Sequence, residues 1–234
     1  MMADKTTNLC NKAISDLQKL FQEEIANGNS IKAQKIAYWL SDYVSMLREE
    51  RTFNSRNLKK YKRGDIVKVH LGFRIGSEEG GLHFCIVLDN NNNIASPTLT
   101  VVPLTSLKPN VDVTKLGPGR LYLGSEVYDL LTQKANDLIN KTFIEIAQIS
   151  GIPQPPGEMK RLHSLVDQAK KTIAEVSNMK SGSIALLNQI VTVSKIRIYD
   201  PLSTKNTLHG IRVSNETLDA IDERINNLYT KTSN

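Results

Sequence analysis

"GSEEGGLHFCIVLDNNNNIASPTLTVVPLTS", residues 76–106, is the stretch whose reading decides the fold. Gly76, Gly80 and Gly81 permit positive φ and close backbone approach, so it opens as a mobile loop. "HFCIVLD" is apolar almost throughout and reads as a central strand, the asparagines at 90–93 suit a hairpin turn, and "LTVVPLTS" reads as a second strand ending in two hydroxyl side chains. Glu78 and Glu79 stand beside the paired glycines ahead of His83, and Thr105 and Ser106 close the second strand.

On its N-terminal side, "KRGDIVKVHLG" at 62–72 alternates. Ile66, Lys68 and His70 fall on one side and Val67, Val69 and Leu71 on the other, as in a strand near a sheet edge. Further back, "RTFNSRNLKKYKR" at 51–63 holds six basic residues and no acid, and reads as a solvated tether or a phosphate-binding strip. Apolar residues Leu9, Ala13, Leu17, Leu20, Phe21 and Ile25 recur at helical spacing over 9–27. "NGNS" at 27–30 offers a glycine stop and a serine cap for a second helix to about 50, with Ala33, Ile36, Leu40, Val44 and Leu47 on one face.

Beyond residue 106 the period changes twice. Leu131, Ala135, Leu138, Ile139, Phe143 and Ile146 recur at helical spacing, "SGIPQPPG" at 150–157 breaks the helix, and Met159, Leu162, Val166, Ala169, Ile173 and Val176 form a stripe on the next one. "IALLNQIVTVSKIRIY" at 184–199 returns to strand texture. "SNETLDAIDERINNLY" at 214–229 reads as a capped helix with Leu218, Ile221, Ile225 and Leu228 inward.

A chain of 234 residues with 40% hydrophobic content can bury a sizeable core, and a net charge of +6 favours an acidic partner, nucleic acid above all. Cys10 and Cys85 lie far apart and match neither metal nor disulfide spacing, which suggests a reduced compartment with Cys85 in the core. No stretch approaches the roughly 18 apolar residues of a membrane span and no secretory leader is evident, so a cytoplasmic protein is expected. No pair of histidines or cysteines has zinc spacing, so no metal or other cofactor is expected.

Four blocks in order, "KRGDIVKVHLG", "GSEEGGLHFCIVLDN", "VVPLTS" and "SGSIALLNQIVTVSKIRI", resemble those of the MazF/PemK RNA-cleaving toxins. The resemblance implies an α+β fold: a small SH3-like antiparallel β-barrel, here with an N-terminal helical hairpin, an inserted helical pair at about 126–180 and a C-terminal helix. The expected division is a hairpin and basic linker at 1–57 and the barrel domain at 58–234. It also implies a homodimer that cuts single-stranded RNA without a metal and is neutralised by an antitoxin protein.

Metal-free cleavage requires a base near the 2′-hydroxyl, an acid near the leaving 5′-oxygen, and donors for the phosphorane oxygens. Where typical members place an arginine followed by proline, this chain has His83 followed by Phe84; the family's threonine corresponds to Thr105. A histidine exchanges protons near neutral pH but clamps phosphate less well than arginine. The expected catalytic set is therefore His83 and Thr105, with Glu78 in support. Ser77, Gly80, Gly81, Ser106, Lys62 and Arg63 are the expected RNA contacts, together with Gln189, whose amide can read a base edge or brace the loop. Arg197 is expected to support the fold by pairing with an acid. A competing reading is a barrel that has lost cleavage and serves as a nucleic-acid- or protein-binding module, like toxins that poison DNA gyrase; the histidine replacement is its main support.

Overall fold

The computed structural model describes residues 2–149, 156–178 and 182–230. The chain divides into two compact units, Met1–Arg51 and Thr52–Asn234, so the basic linker residues after Arg51 belong with the second unit. Among the described residues no helix is long and apolar enough to cross a membrane.

The first unit is a helical hairpin of α1 (Met2–Ala26) and α2 (Ser30–Glu49). Gly28 makes the turn at φ 77°, a conformation glycine adopts without the steric cost a Cβ brings. Asn29, and not Ser30, holds the N-cap position, without a side-chain cap bond.

Among the described residues the second unit has seven strands: β1 (Ile66–His70), β2 (Leu82–Val87), β3 (Thr98–Ser106), β4 (Arg120–Tyr122), β5 (Ser183–Leu186), β6 (Val191–Ser194) and β7 (Ile198–Asp200). All the pairings are antiparallel and follow the order β4-β5-β3-β2-β1-β7, with β6 also on β3. Among the described residues no pairing joins β4 to β7, so the sheet is open and not the closed ring expected of a barrel. β2 is central and β1 is one strand from the edge, as their hydrophobic patterns indicate.

β5 and β6 run along the same edge of β3, but out of step. Between Leu104↔Ala185 and Val101↔Val191, β3 advances three residues while its partner advances six. The 3-10 turn Leu187–Gln189 takes up the excess and carries Gln189 out of the ladder.

Strand alternation sends residues to two cores. One packs Val67, Val69, Leu71, Cys85, Val87 and Val101 with Tyr61; the other packs Ile66, Ile86, Val102 and Leu104 under Val127 and Leu131 of α3 (Glu126–Ile149) and Ile221 of α5 (Asn215–Tyr229). Cys85 is fully buried, as expected of a small apolar residue. α5 begins on a cap, the Ser214 side chain accepting from the Thr217 amide.

α3 packs on α4 (Pro156–Asn178); of the expected break at 150–157, residues 150–155 lie outside the described residues. The α4 stripe is shifted from the expected one. Leu162 and Ala169 are buried, but Thr172 is buried where Ile173 was expected, and Met159 and Ile173 are both 42% exposed. On α3, Leu131 and Ala135 are buried while Phe143 and Ile146 are exposed.

Candidate functional site

The loop between β1 and β2 is pinned at its neck. Leu71 N donates to the Gly81 carbonyl at 2.7 Å and Gly81 N to the Gly72 carbonyl at 2.8 Å. Gly81 sits at φ 91°, and a Cβ on Gly80 would lie 2.7 Å from the Gly72 carbonyl oxygen, so only glycine lets the two arms approach this closely. From below, Arg197 donates to the carbonyls of His70 at 2.9 Å and Leu71 at 2.6 Å. These two bonds tie Arg197 to main-chain acceptors at the loop's entry.

Gln189 braces the loop's far arm. Its Oε1 accepts from Glu79 N, and its Nε2 donates to the Ser77 carbonyl at 3.1 Å. Of the two roles open to Gln189 in the sequence, the bracing one describes these bonds. The three-residue excess before β6 is what brings its amide there.

With the loop held, His83 at the start of β2 lies half-buried beside Glu79. Its Nε2 is 3.1 Å from Glu79 Oε1, and its Nδ1 is 3.3 Å from the Leu104 carbonyl. Both ring nitrogens face oxygen acceptors, so the imidazolium form donates from both. The β2–β3 pairing ends at Cys85↔Pro103, two residues short of His83 and Thr105, and the ring's contact to the Leu104 carbonyl links His83 to the end of β3. Thr105 is half-buried and Ser106, at the strand end, is exposed. Burial pushes the Cys85 thiol up, with the Glu79 charge adding, which makes it a poor nucleophile.

Glu79 also lines a cavity of about 380 Å³ together with Arg74, Ser77, Pro103 and Gln189, whereas His83, Thr105 and Ser106 are not among its lining residues. Glu78 also lines it but is turned to Arg74, whose Nη1 is 3.4 Å from its carboxylate. The acid against His83 is therefore Glu79, and not Glu78 as the sequence suggested. Arg74 was also missed. It anchors through Nε to the Leu71 carbonyl at 3.0 Å and packs against Gly80. As the sole lysine or arginine between Lys68 and Lys108 it was open to notice in the sequence.

The structure does not bring Lys62 and Arg63 to His83. Both precede β1, at the end of the strand pair where Ile66 faces Ile86, whereas His83 faces Val69. At about 3.3 Å per residue, the ends are separated by roughly 10 Å or more. Arg63 donates to the Leu88 carbonyl and pairs with Asp222, and with Lys60, Lys62 and Arg212 it lines a separate cleft of about 690 Å³. His163 is exposed on α4. Among the described residues no group of three or more His, Cys, Asp or Glu side chains converges.

Residues 62–154 match the family model described as PemK-like, MazF-like toxin of type II toxin-antitoxin system. Over that span the chain is similar to the PemK/MazF family. No curated protein matches it. The matched span takes in β1 to β4 and α3, so the family's pattern reaches into the helical pair that the sequence blocks placed outside it. β5, β6 and β7 lie beyond the match, yet two of them complete the edge of β3 and the third pairs with β1. The PemK/MazF span thus contains His83, Glu79, Arg74 and Thr105, while the brace Gln189 comes from outside it.

Proposed function

We propose that this chain is the toxin of a type II toxin-antitoxin system and that it cleaves single-stranded RNA, messenger RNA included, at selected sequences. The observation that carries the reading is the Glu79–His83 pair, 3.1 Å apart at the mouth of a glycine-pinned loop within the span similar to PemK/MazF toxins. In the proposed reaction the 2′-hydroxyl loses its proton and bonds to phosphorus, the bond from phosphorus to the 5′-oxygen breaks, and that oxygen gains a proton. The products are a 2′,3′-cyclic phosphate, or a 3′-phosphate after hydrolysis, and a 5′-hydroxyl.

His83 is assigned the proton transfers at the reacting oxygens through Nδ1, which exchanges its long contact to the Leu104 carbonyl for the substrate, while Glu79 positions the ring through Nε2. The Thr105 hydroxyl and the Arg74 guanidinium are donors to the phosphorane oxygens; Arg74 supplies the fixed cation that a histidine at position 83 gives up. Glu78 holds Arg74. Ser77, Gly80, Gly81 and Ser106 contact the phosphates beside the cut, Gln189 keeps the loop in place, and Lys60, Lys62 and Arg63 take phosphates farther along the strand. These side chains can carry the proton transfers and the charge, so the reaction is proposed to be metal-independent.

The fold that goes with this reading is an SH3-like barrel left open between β4 and β7, acting in the cytoplasm as a homodimer and neutralised by a protein antitoxin. Incubation of the purified chain with a long single-stranded RNA in EDTA, followed by end-group analysis, tests it. Discrete cuts with 5′-hydroxyl ends are expected; intact RNA, or 5′-phosphate ends, would reject it.

A further inference from the structure

The N-terminal unit buries very little of itself. Among its described residues only Glu24, Ala33 and Ile36 are buried, while Leu9, Ile14, Ile25, Val44 and Leu47 are 43–67% exposed. At about 100° per residue, the apolar positions of α1 from Leu9 and Leu20 through Leu17 to Ile14 and Ile25 cover roughly 160° of its circumference. One neighbouring helix covers only the middle of so wide a stripe. The flank left over forms an apolar groove of about 600 Å³, with Phe21, Ile25 and Ile31 as walls and Ala33 and Ala37, one turn apart, in its floor. Such a floor admits another helix closely.

We propose that the occupant is the same hairpin of a second copy of this chain, the two hairpins closing into a four-helix bundle. Charge favours this occupant. Residues 1–51 hold seven acids and seven bases, so the whole +6 of the chain belongs to residues 52–234. Two neutral hairpins meet without repulsion, whereas a neutral hairpin is poorly matched to cover a basic RNA-binding surface. Size agrees as well. The seven large aliphatic side chains of this unit that are more than a third exposed leave roughly 700 Å² of apolar surface per copy, near the 800 Å² or so each partner gives a standard interface. The bundle does not depend on the nuclease reading.

Cys10 is exposed on α1 while Cys85 is buried, so a spin label on the intact chain goes to Cys10 and reports between copies. A narrow inter-copy distance below about 40 Å, the length of α1, is expected, abolished by dilution with unlabelled chain. Ala37→Glu, which keeps a good helix former but places a charge in the groove, should remove that distance, and Ala37→Gln should weaken it less. Deuterium exchange of β1 to β3 in the same samples checks that the second unit stays folded. Absence of any inter-copy distance in the wild type, or a distance that survives Ala37→Glu in a folded chain, would overturn the proposal.

Discussion

Replacing Gln189 by alanine tests the bracing of the loop without touching the reacting groups. The side chain makes two hydrogen bonds to loop backbone, accepting from Glu79 N and donating to the Ser77 carbonyl. At about 0.5–1.5 kcal/mol net for each, their loss should lower the free energy of opening the loop by about 1–3 kcal/mol. At about 1.4 kcal/mol per factor of ten, amide exchange at Glu79 should accelerate roughly 5- to 150-fold. The effect should be local, with exchange in β2 and β3 unchanged. RNA cleavage should fall about tenfold or more, because the Glu79 carboxylate is then no longer held against His83. Gln189→Glu keeps an acceptor for Glu79 N but loses the donor to Ser77, so its exchange rate should lie between those of wild type and Gln189→Ala. Amide exchange read by nuclear magnetic resonance decides it. Glu79 exchanging at the wild-type rate in Gln189→Ala, or a uniform acceleration across the sheet, would refute the brace.

Glu79→Gln should lower RNA cleavage on the order of a hundredfold, while Glu78→Gln changes it only a few-fold, in the same cleavage assay; equal losses would remove the distinction drawn between the two acids. Gly80→Ala should destabilise the loop by about 1–3 kcal/mol in thermal unfolding, because the new methyl group meets the Gly72 carbonyl oxygen at 2.7 Å. Asp65→Asn should cost about 3–5 kcal/mol in urea unfolding at neutral pH, since Lys59, 2.7 Å away and 8% exposed, is left buried without its counter-charge. Burial alone would raise the Asp65 pKa, but the bonds from Lys59 and Arg212 outweigh it and hold the carboxyl below its ordinary range. Its stabilisation is therefore present above the ordinary carboxylate pKa and lost as pH falls through the depressed folded value, so acid should destabilise wild type more than Asp65→Asn.

Much of the fold is legible in the sequence because its strands are short, β-branched and bounded by glycine, asparagine or proline. β2 and β3 carry this texture most strongly and also sit centrally. The phase of α4 was not legible. Thr172 satisfies its hydroxyl on the Gln168 carbonyl at 2.9 Å and so can be buried, which leaves the more apolar Ile173 exposed; hydropathy ranks the two the other way. His83 and Thr105 were legible as strand-end residues with a family counterpart. The choice between Glu78 and Glu79 was not, because neighbouring side chains in a turn diverge and only the loop's brace fixes which one meets His83. Nor does the sequence show that Arg197 binds main-chain carbonyls, since an arginine fork fits a pair of carbonyl oxygens as well as a carboxylate. Lys62 and Arg63 open a family block in sequence, but the length of β1 carries them to the other end of the strand pair from His83.

The cleavage reading rests most heavily on His83. The most direct measurement is the single-turnover rate on one single-stranded RNA in EDTA for wild type and for His83→Ala, with matched circular dichroism and unfolding curves to show that both are folded. Specific cuts by the wild type and a loss of about a hundredfold or more in His83→Ala are expected. Cleavage at an undiminished rate by folded His83→Ala, or none by the wild type, would contradict the assignment, and the latter would favour a barrel that binds nucleic acid or protein without cutting.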